Sequence, residues 1–353
     1  MRLRPVLALA AILASMSYTA SAAASSIPRQ FRGSALWVRE VTPLETGRDL
    51  VTDATRAGVR TLYVKAGDGS TPELQFSPTV VSEARAAGAT VCGWMFAYGL
   101  DPAAEAKIAV AAVRAGAQCL VIDAEGQYDK LYGAAQLFVH ELRSQLGAHF
   151  PIGLAGQAEV LQHPTFPYSV FLGPGGFDVV LPQVYWRDFG VSVDAAFAAT
   201  IGVNSIYGRP VLPVGQLYGP PATSELLRFR ALAGAYGLAG WSFFDLDVAQ
   251  PAQLEALAAP VHRLARRSIA GPTLRAGADG DAVVQAQELL NAAGSHLPVG
   301  GFFGAVTARA VASFQRRHRL RPSEVITAAT WKALMRFHPH EPSWASAPPD
   351  SAR

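Results

Sequence analysis

Cysteine, histidine and methionine are scarce in this 353-residue chain, at 2, 8 and 4 copies. Two cysteines cannot build a zinc ribbon, and no two histidines stand at metal-ligand spacing. No HExxH helix and no Walker-type glycine-rich loop occurs, which excludes the common zinc-peptidase and P-loop chemistries. No His or Cys constellation suited to an amidase or peptidase is present either. Charge is equally thin: 30 Lys and Arg against 27 Asp and Glu leave a net +3, too little to argue for a nucleic-acid partner. No cofactor is expected. Half of the residues are hydrophobic, enough for a large buried core, and the length exceeds what one compact core normally uses.

The first residues, Met1-Arg-Leu-Arg4, precede an apolar stretch from Pro5 to Met16 and the small residues Thr19-Ala-Ser-Ala-Ala-Ala24. These are the parts of a secretory signal peptide over 1–24, and they imply a secreted or wall-associated protein. The apolar run is short of the roughly 20 residues that span a bilayer, and later apolar runs are broken by Gly, Pro and charge, so stable membrane insertion is not expected. Cys92 and Cys119 fall in neighbouring predicted parallel strands, where bridging geometry is restrictive, and are expected to remain free thiols.

Between residues 30 and 267 short β-rich runs alternate with Ala-rich amphipathic stretches. The runs are Ala35–Val41, Thr61–Ala66, Thr90–Tyr98, Cys119–Glu125, Ile152–Gln157, Val179–Trp186, Val211–Tyr218 and Ala239–Leu246. Several helical stretches end on glycine, at Gly58, Gly88, Gly116 and Gly237. Eight such units predict an α/β fold, a (β/α)8 TIM barrel. An open doubly wound sheet would carry a glycine-rich turn after its first strand, where Glu40-Val-Thr-Pro43 stands instead.

A barrel gathers its strand ends at one mouth. There the fourth strand offers Asp123 and Glu125, two residues apart and so on one face. The other strand ends bring Lys65 and Asp68, Tyr98, Gln157, Gln183 with Tyr185, Gln216 with Tyr218, and Trp241 with Phe243 and Asp245. Rings mixed with amides and carboxylates suit sugars, whose C–H faces stack while their hydroxyls take hydrogen bonds. Two adjacent carboxylates repel, raising the proton affinity of one of them. They stand too near each other to flank a glycosidic bond, so Asp245 is the candidate for a further carboxylate unless the substrate's own acetamido group assists.

At Asp123-Ala-Glu125, at Tyr185 in Pro182-Gln-Val-Tyr185-Trp, and at Trp241 in Gly240-Trp-Ser-Phe-Phe244, the barrel resembles the lysozyme- and chitinase-type glycoside hydrolases of families 25 and 18. The resemblance implies that Glu125 protonates the leaving oxygen, Asp123 orients it, and Tyr185 contacts substrate. Gln183, Trp241, Tyr98, Lys65, Gln157, Gln216 and Asp245 are the remaining candidate substrate contacts. The chain departs from the lysozyme group in lacking an Asp on its first strand, where Ala35-Leu-Trp-Val-Arg-Glu40 stands. It departs from the chitinase pattern in having Leu120-Val-Ile before the acidic pair. A degenerate barrel that binds glycan without cleaving it is the alternative.

Past a basic junction, Arg263 to Pro272, short helices replace strands. Leu274 to Asn291, then Gly301-Phe-Phe-Gly304 with Thr307, Ala310-Val-Ala-Ser-Phe-Gln315 and Thr330-Trp-Lys-Ala-Leu334, closely resemble the peptidoglycan-binding type 1 domain. Gly300 and Ala286 depart from its usual residues. Val283, Ala286 and Leu290, then Ala310, Val311 and Phe314, then Trp331 and Leu334, supply three stripes for a small three-helix all-α core over 268–338. The resemblance implies peptidoglycan as partner. Arg316, Arg317, Arg319 and Arg321 suit anionic wall polymers or simply complement a helix dipole. The Pro/Ser/Ala-rich tail, 339–353, is expected to be disordered.

Overall fold

The computed structural model describes residues 27–339. The expected signal peptide, and the expected disordered tail apart from Pro339, lie outside the described residues.

Period-2 patterning yields β1 (Gly33–Val38), β2 (Thr61–Asp68), a two-residue return β3 (Thr71–Pro72), β4 (Thr90–Ala97), β5 (Leu120–Ala124), β6 (Ile152–Gln157), β7 (Val179–Gln183), β8 (Val214–Gln216) and β9 (Gly240–Phe244). Apart from β3, which is antiparallel to β2, all are parallel, and β1 pairs with both β2 and β9. Eight parallel strands therefore close into a barrel. The amphipathic stretches become α1 (Gly47–Arg56), α2 (Pro78–Ala86), α3 (Pro102–Arg114), α4 (Tyr132–Leu146), the short α5 (Tyr168–Leu172), α6 (Val193–Ser205), α7 (Thr223–Tyr236) and α8 (Pro251–Ala258). The stop at Gly237 is physical: it caps α7 at φ 70°, a left-handed conformation that costs other residues a Cβ clash.

The pleat sorts side chains into two layers. Positions such as Leu36, Leu62 and Ile122 pack outward against the helices. Ala35, Trp37, Tyr63, Cys92, Trp94, Cys119, Val121, Ala155, Leu181 and Val214 fill the interior, with Phe31 plugging the end away from the strand termini. The interior is solid below the mouth, so any ligand must bind above it.

The expectation of free thiols is corrected here. Cys92 and Cys119 form a disulfide. The pairing of Gly93 with Leu120 puts the two cysteines opposite one another on adjacent strands, both facing inward, with Cα atoms 4.6 Å apart. That separation lies inside the bridging range, which the notion of restrictive parallel-strand geometry had discounted.

The remaining helices, α9 (Asp281–Ala292), α10 (Ala305–Arg317) and α11 (Ala328–Leu334), bury Val283, Ala286, Leu290, Val311, Phe314, Trp331 and Leu334. Ala310 is only half-buried, and Ala308 takes the interior place on α10. Two glutamines organise the turns. Gln287 accepts from the Gly300 and Gly301 amides and donates to Phe302 and Thr307, while Gln315 accepts from the Ser323 amide and donates to the Val325 carbonyl. The apolar layer runs from the barrel helices into these three without a break. Asp281, fully buried, accepts from Tyr132 Oη (2.9 Å), Ser169 N (2.8 Å) and Ser169 Oγ (2.6 Å) on the barrel. Beside it Gly280 lies so close to Pro164 that an added Cβ would sit 2.5 Å from the proline Cβ.

Candidate active site

The inward register of β5 runs Cys119, Val121, Asp123, so Asp123 emerges at the mouth, only 7% exposed. Glu125 follows as the chain leaves the strand and turns into a 3-10 turn at Gly126–Tyr128. From β7 the side chain of Gln183 reaches across, its Nε2 donating to Asp123 Oδ1 at 3.0 Å and to Glu125 Oε1 at 2.9 Å. One amide thus uses both hydrogens to hold two carboxylates on a common axis. Burial pushes the Asp123 carboxyl well above the usual range, the Glu125 charge adds to that, and Gln183 and Lys65 oppose it. Asp123 therefore tends to keep a proton, and Glu125 stands on the more accessible side of the pair.

Around this axis the rim is tightly bonded. Lys65, inward on β2 above Tyr63, pairs with Asp68 at 2.8 Å and Glu73 at 3.1 Å, and its ammonium lies 5.7 Å from the Trp94 ring centre. Burial works against the Lys65 charge, but the two carboxylates outweigh it and hold the ammonium above its ordinary value. Tyr98 donates to Asp68 at 2.7 Å, and the turn after it is fixed by the buried Glu105, which accepts from the Gly99 and Leu100 amides. Gln157 is paired in register with Gln183, and its Oε1 is buried without a hydrogen-bond partner. Tyr185 packs edge-on against Tyr218 at 5.5 Å and near Phe244. Its phenol is pushed well up, first by burial and then by Asp123, so it serves as a hydrogen-bond donor.

The structure therefore brings Asp123, Glu125, Gln183, Tyr185, Lys65, Tyr98 and Gln157 to one mouth. Three other expected contacts sit differently. Trp241 faces outward: on β9 the odd positions point to the helices, where Phe243 meets Phe229 of α7 and Arg230 lies 5.4 Å from the Trp241 ring centre. Its even neighbours Ser242 and Phe244 hold the interior, Ser242 accepting from Trp37 Nε1 and Phe244 packing on Trp37 and Trp94. Counting period 2 from the wrong residue placed the tryptophan at the mouth. Gln216 points inward but is fully buried, its amide engaged with Arg187 N (3.0 Å) and Asp188 Oδ1 (3.4 Å), so it shapes the rim rather than meeting ligand. Asp245 is 3% exposed and bonded by Arg39 Nε at 3.1 Å, which removes it as a free second carboxylate.

Sequence reasoning missed Trp94 and Phe244, which floor the site, and Arg39 and Asp188, which bound it. Trp94 was accessible to the same period-2 argument, two residues beyond the inward Cys92. Arg39 and Asp188 carried no sequence signal, because their partners lie 206 and 30 positions away.

Residues 279–334 match the family model of a putative peptidoglycan binding domain. A peptidoglycan-binding protein from Clostridioides difficile, solved in complex with glutamine hydroxamate, is 35% identical over 18% of this chain, with a TM-score of 0.18. The chain spans 41% of that protein's length. A class V chitininase from Pseudomonas fluorescens Pf-5 superposes with a TM-score of 0.50 at 11% identity, covering 64% of this chain and 98% of its own. The spore cortex-lytic enzyme SleL of Bacillus cereus gives 0.47 at 12% identity, covering 64% and 73%. No curated protein matches the sequence. The molecule is thus a TIM-barrel protein with a helical carboxy-terminal part. The barrel shares the fold of a chitinase, and the helical part is similar to peptidoglycan-binding domains.

Proposed function

We propose that the protein is an exported, cell-wall-associated glycoside hydrolase acting on peptidoglycan or another amino-sugar glycan, delivered by a peptidoglycan-binding module. In this reading 1–24 is a signal peptide, 30–267 the catalytic barrel, 268–338 the binding module and 339–353 a tail. The observation that carries it is the single amide of Gln183 bridging Asp123 and Glu125 at the mouth of the barrel. A buried carboxyl that keeps its proton, beside a more accessible one on a shared donor, lets the pair relay a proton. Glu125 would protonate the leaving oxygen. Asp123 would take up hydrogen-bonding to Glu125 or to a substrate acetamido group, and Tyr185 would donate to the same group. The match of residues 279–334 supports the wall as the place of action. Among the described residues no helix is long and apolar enough to cross a membrane.

One observation favours a non-catalytic alternative: Asp245 is locked to Arg39, and β1 supplies no acid, so cleavage would depend on the substrate's own acetamido group as nucleophile. Both readings are separated by one experiment. Reducing-end release from purified peptidoglycan and from chitin oligomers should be seen with the full chain and lost with Glu125→Gln. Binding without release in the wild type establishes the non-catalytic alternative.

A further inference from the structure

The β7–α6 loop carries a carboxylate that the proposed chemistry does not use. Asp188 is exposed, yet its orientation is fixed from two sides: Tyr218 Oη donates to Oδ2 at 2.5 Å, and the fully buried Gln216 donates to Oδ1 at 3.4 Å. Gln216 is itself anchored by the Arg187 amide, so a buried side chain is committed to placing a surface acid. Burial and then Asp188 push the Tyr218 phenol up, so the tyrosine remains the donor and Asp188 the acceptor.

Five other acids around this rim are neutralised. Lys65 answers Asp68 and Glu73, Arg39 answers Asp245 and Asp247, and Arg187 answers Glu225. Asp188 enters no ion pair among the described residues, although Arg187 is its chain neighbour. Next to it stand the rings of Tyr218 and Tyr185, edge to face, and Phe189, which is 45% exposed. Tyr185 lies within electrostatic reach of Asp123 and Glu125 on one side and of Asp188 on the other, so this one ring borders both.

A fixed, unpaired carboxylate beside aromatic faces fits an ammonium group, which gains from the charge and from the ring quadrupoles together. We infer that Asp188, with Tyr218, forms a specificity subsite for a primary ammonium on the glycan substrate, next to the Asp123 and Glu125 pair. This rests on the proposed glycan-binding role of the mouth. The ammonium could belong to a glucosamine unit lacking its acetyl group or to a diamino acid in a peptide attached to the glycan. The chemistry at Asp188 is the same for both.

The test uses the full chain carrying Glu125→Gln, so that binding is read without turnover. Calorimetry would compare a glucosamine-containing tetramer, the same tetramer after chemical re-acetylation, and an N-acetylated muropeptide with its diamino acid amine free or acetylated. Acetylation of the amine should weaken binding about 3- to 10-fold in one of the two ligand pairs, the scale of a partly exposed charge pair reinforced by rings. The pair that responds identifies the source. Asp188→Asn should bring that ratio close to one, and Tyr218→Phe should reduce it by freeing the carboxylate's orientation, while Asp101→Asn, at a remote helix start, should leave it intact. Binding of acetylated and free-amine forms with equal affinity, or a ratio that survives Asp188→Asn, overturns the subsite while leaving the glycan-binding role standing. Absence of all glycan binding overturns both.

Discussion

Tyr132 at the start of α4 donates its hydroxyl hydrogen to Asp281 at the start of α9, 2.9 Å away and 149 positions along the chain. This bond, with the two from Ser169, sits where the helical module meets the barrel, and none of the three groups is open to water. The module is therefore seated on the barrel rather than trailing from it, and a ligand bound to it would be presented in a fixed relation to the mouth.

That seat should respond to pH. Burial pushes Asp281 up to about 6 against the hydrogen bonds of Ser169 and Tyr132, and burial with the Asp281 charge pushes Glu288 up to about 8. Both Glu288 oxygens are buried and without hydrogen-bond partners. Folded values above the unfolded 3.8 and 4.5 mean that these groups stabilise fully in acid, below both unfolded values. Their contribution is lost as pH rises through about 6 and then about 8. Thermal unfolding of the full chain should show Tm falling across this window, and Glu288→Gln should raise Tm at pH 8 by about 2 °C or more. A Tm difference between variant and wild type that is the same at pH 5 and pH 8 would refute the assignment.

Removal of the acid at the mouth should separate chemistry from binding. Glu125→Gln should retain fold and glycan affinity while hydrolysis falls by about 10²-fold or more. Initial rates on chitin oligomers, with circular dichroism as the control for folding, check it. Activity unchanged by the substitution would assign the strand-end pair a structural role.

Gln183 gives a second handle on the same pair. Its hydrogen bond favours the ionised form of Asp123, so Gln183→Leu should raise that carboxyl further. The limb of the kcat/KM profile governed by Asp123 should then move to higher pH, with turnover reduced about 10-fold or more. A lower kcat/KM with an unmoved profile would mean that the amide only packs against the pair.

The disulfide should matter for stability and not for turnover. Closing 27 positions in the chain-entropy treatment stabilises by about 3.5 kcal/mol, and Cys92 and Cys119 are both fully buried in the barrel interior. Cys92→Ala with Cys119→Ala should lower the denaturant midpoint accordingly while the activity of the remaining folded protein is kept. In the wild type, thiol reagents should find no reactive cysteine even in denaturant, and two only after a reductant is added to the unfolded chain.

Much of this molecule could be read along the chain because the governing interactions are local. Strand and helix periods, glycine stops such as Gly237, and the i, i+2 rule that set Asp123 and Glu125 on one side of β5 depend on neighbours a few residues apart, and so does the helical patterning of Val283, Ala286 and Leu290. The (β/α)8 fold follows from counting such units, and the module was legible as a motif.

Three-dimensional closure decided the rest. Whether Trp241 faces sugar or helix depends on the register of β9 against β1, a one-residue matter that composition does not encode. Whether Asp245 is a free acid depends on Arg39, 206 positions away, and whether two cysteines bridge depends on β4 and β5 aligning residue for residue. The seat of Asp281 on Tyr132 and the hold of Gln216 and Tyr218 on Asp188 are of the same kind. Sequence by itself specified which groups lie at the strand ends, since pleat and period are properties of a segment. Tertiary structure alone chose which of those groups are spent on one another and which are left for a ligand, because hydrogen-bond and charge partners are assigned by distance in space.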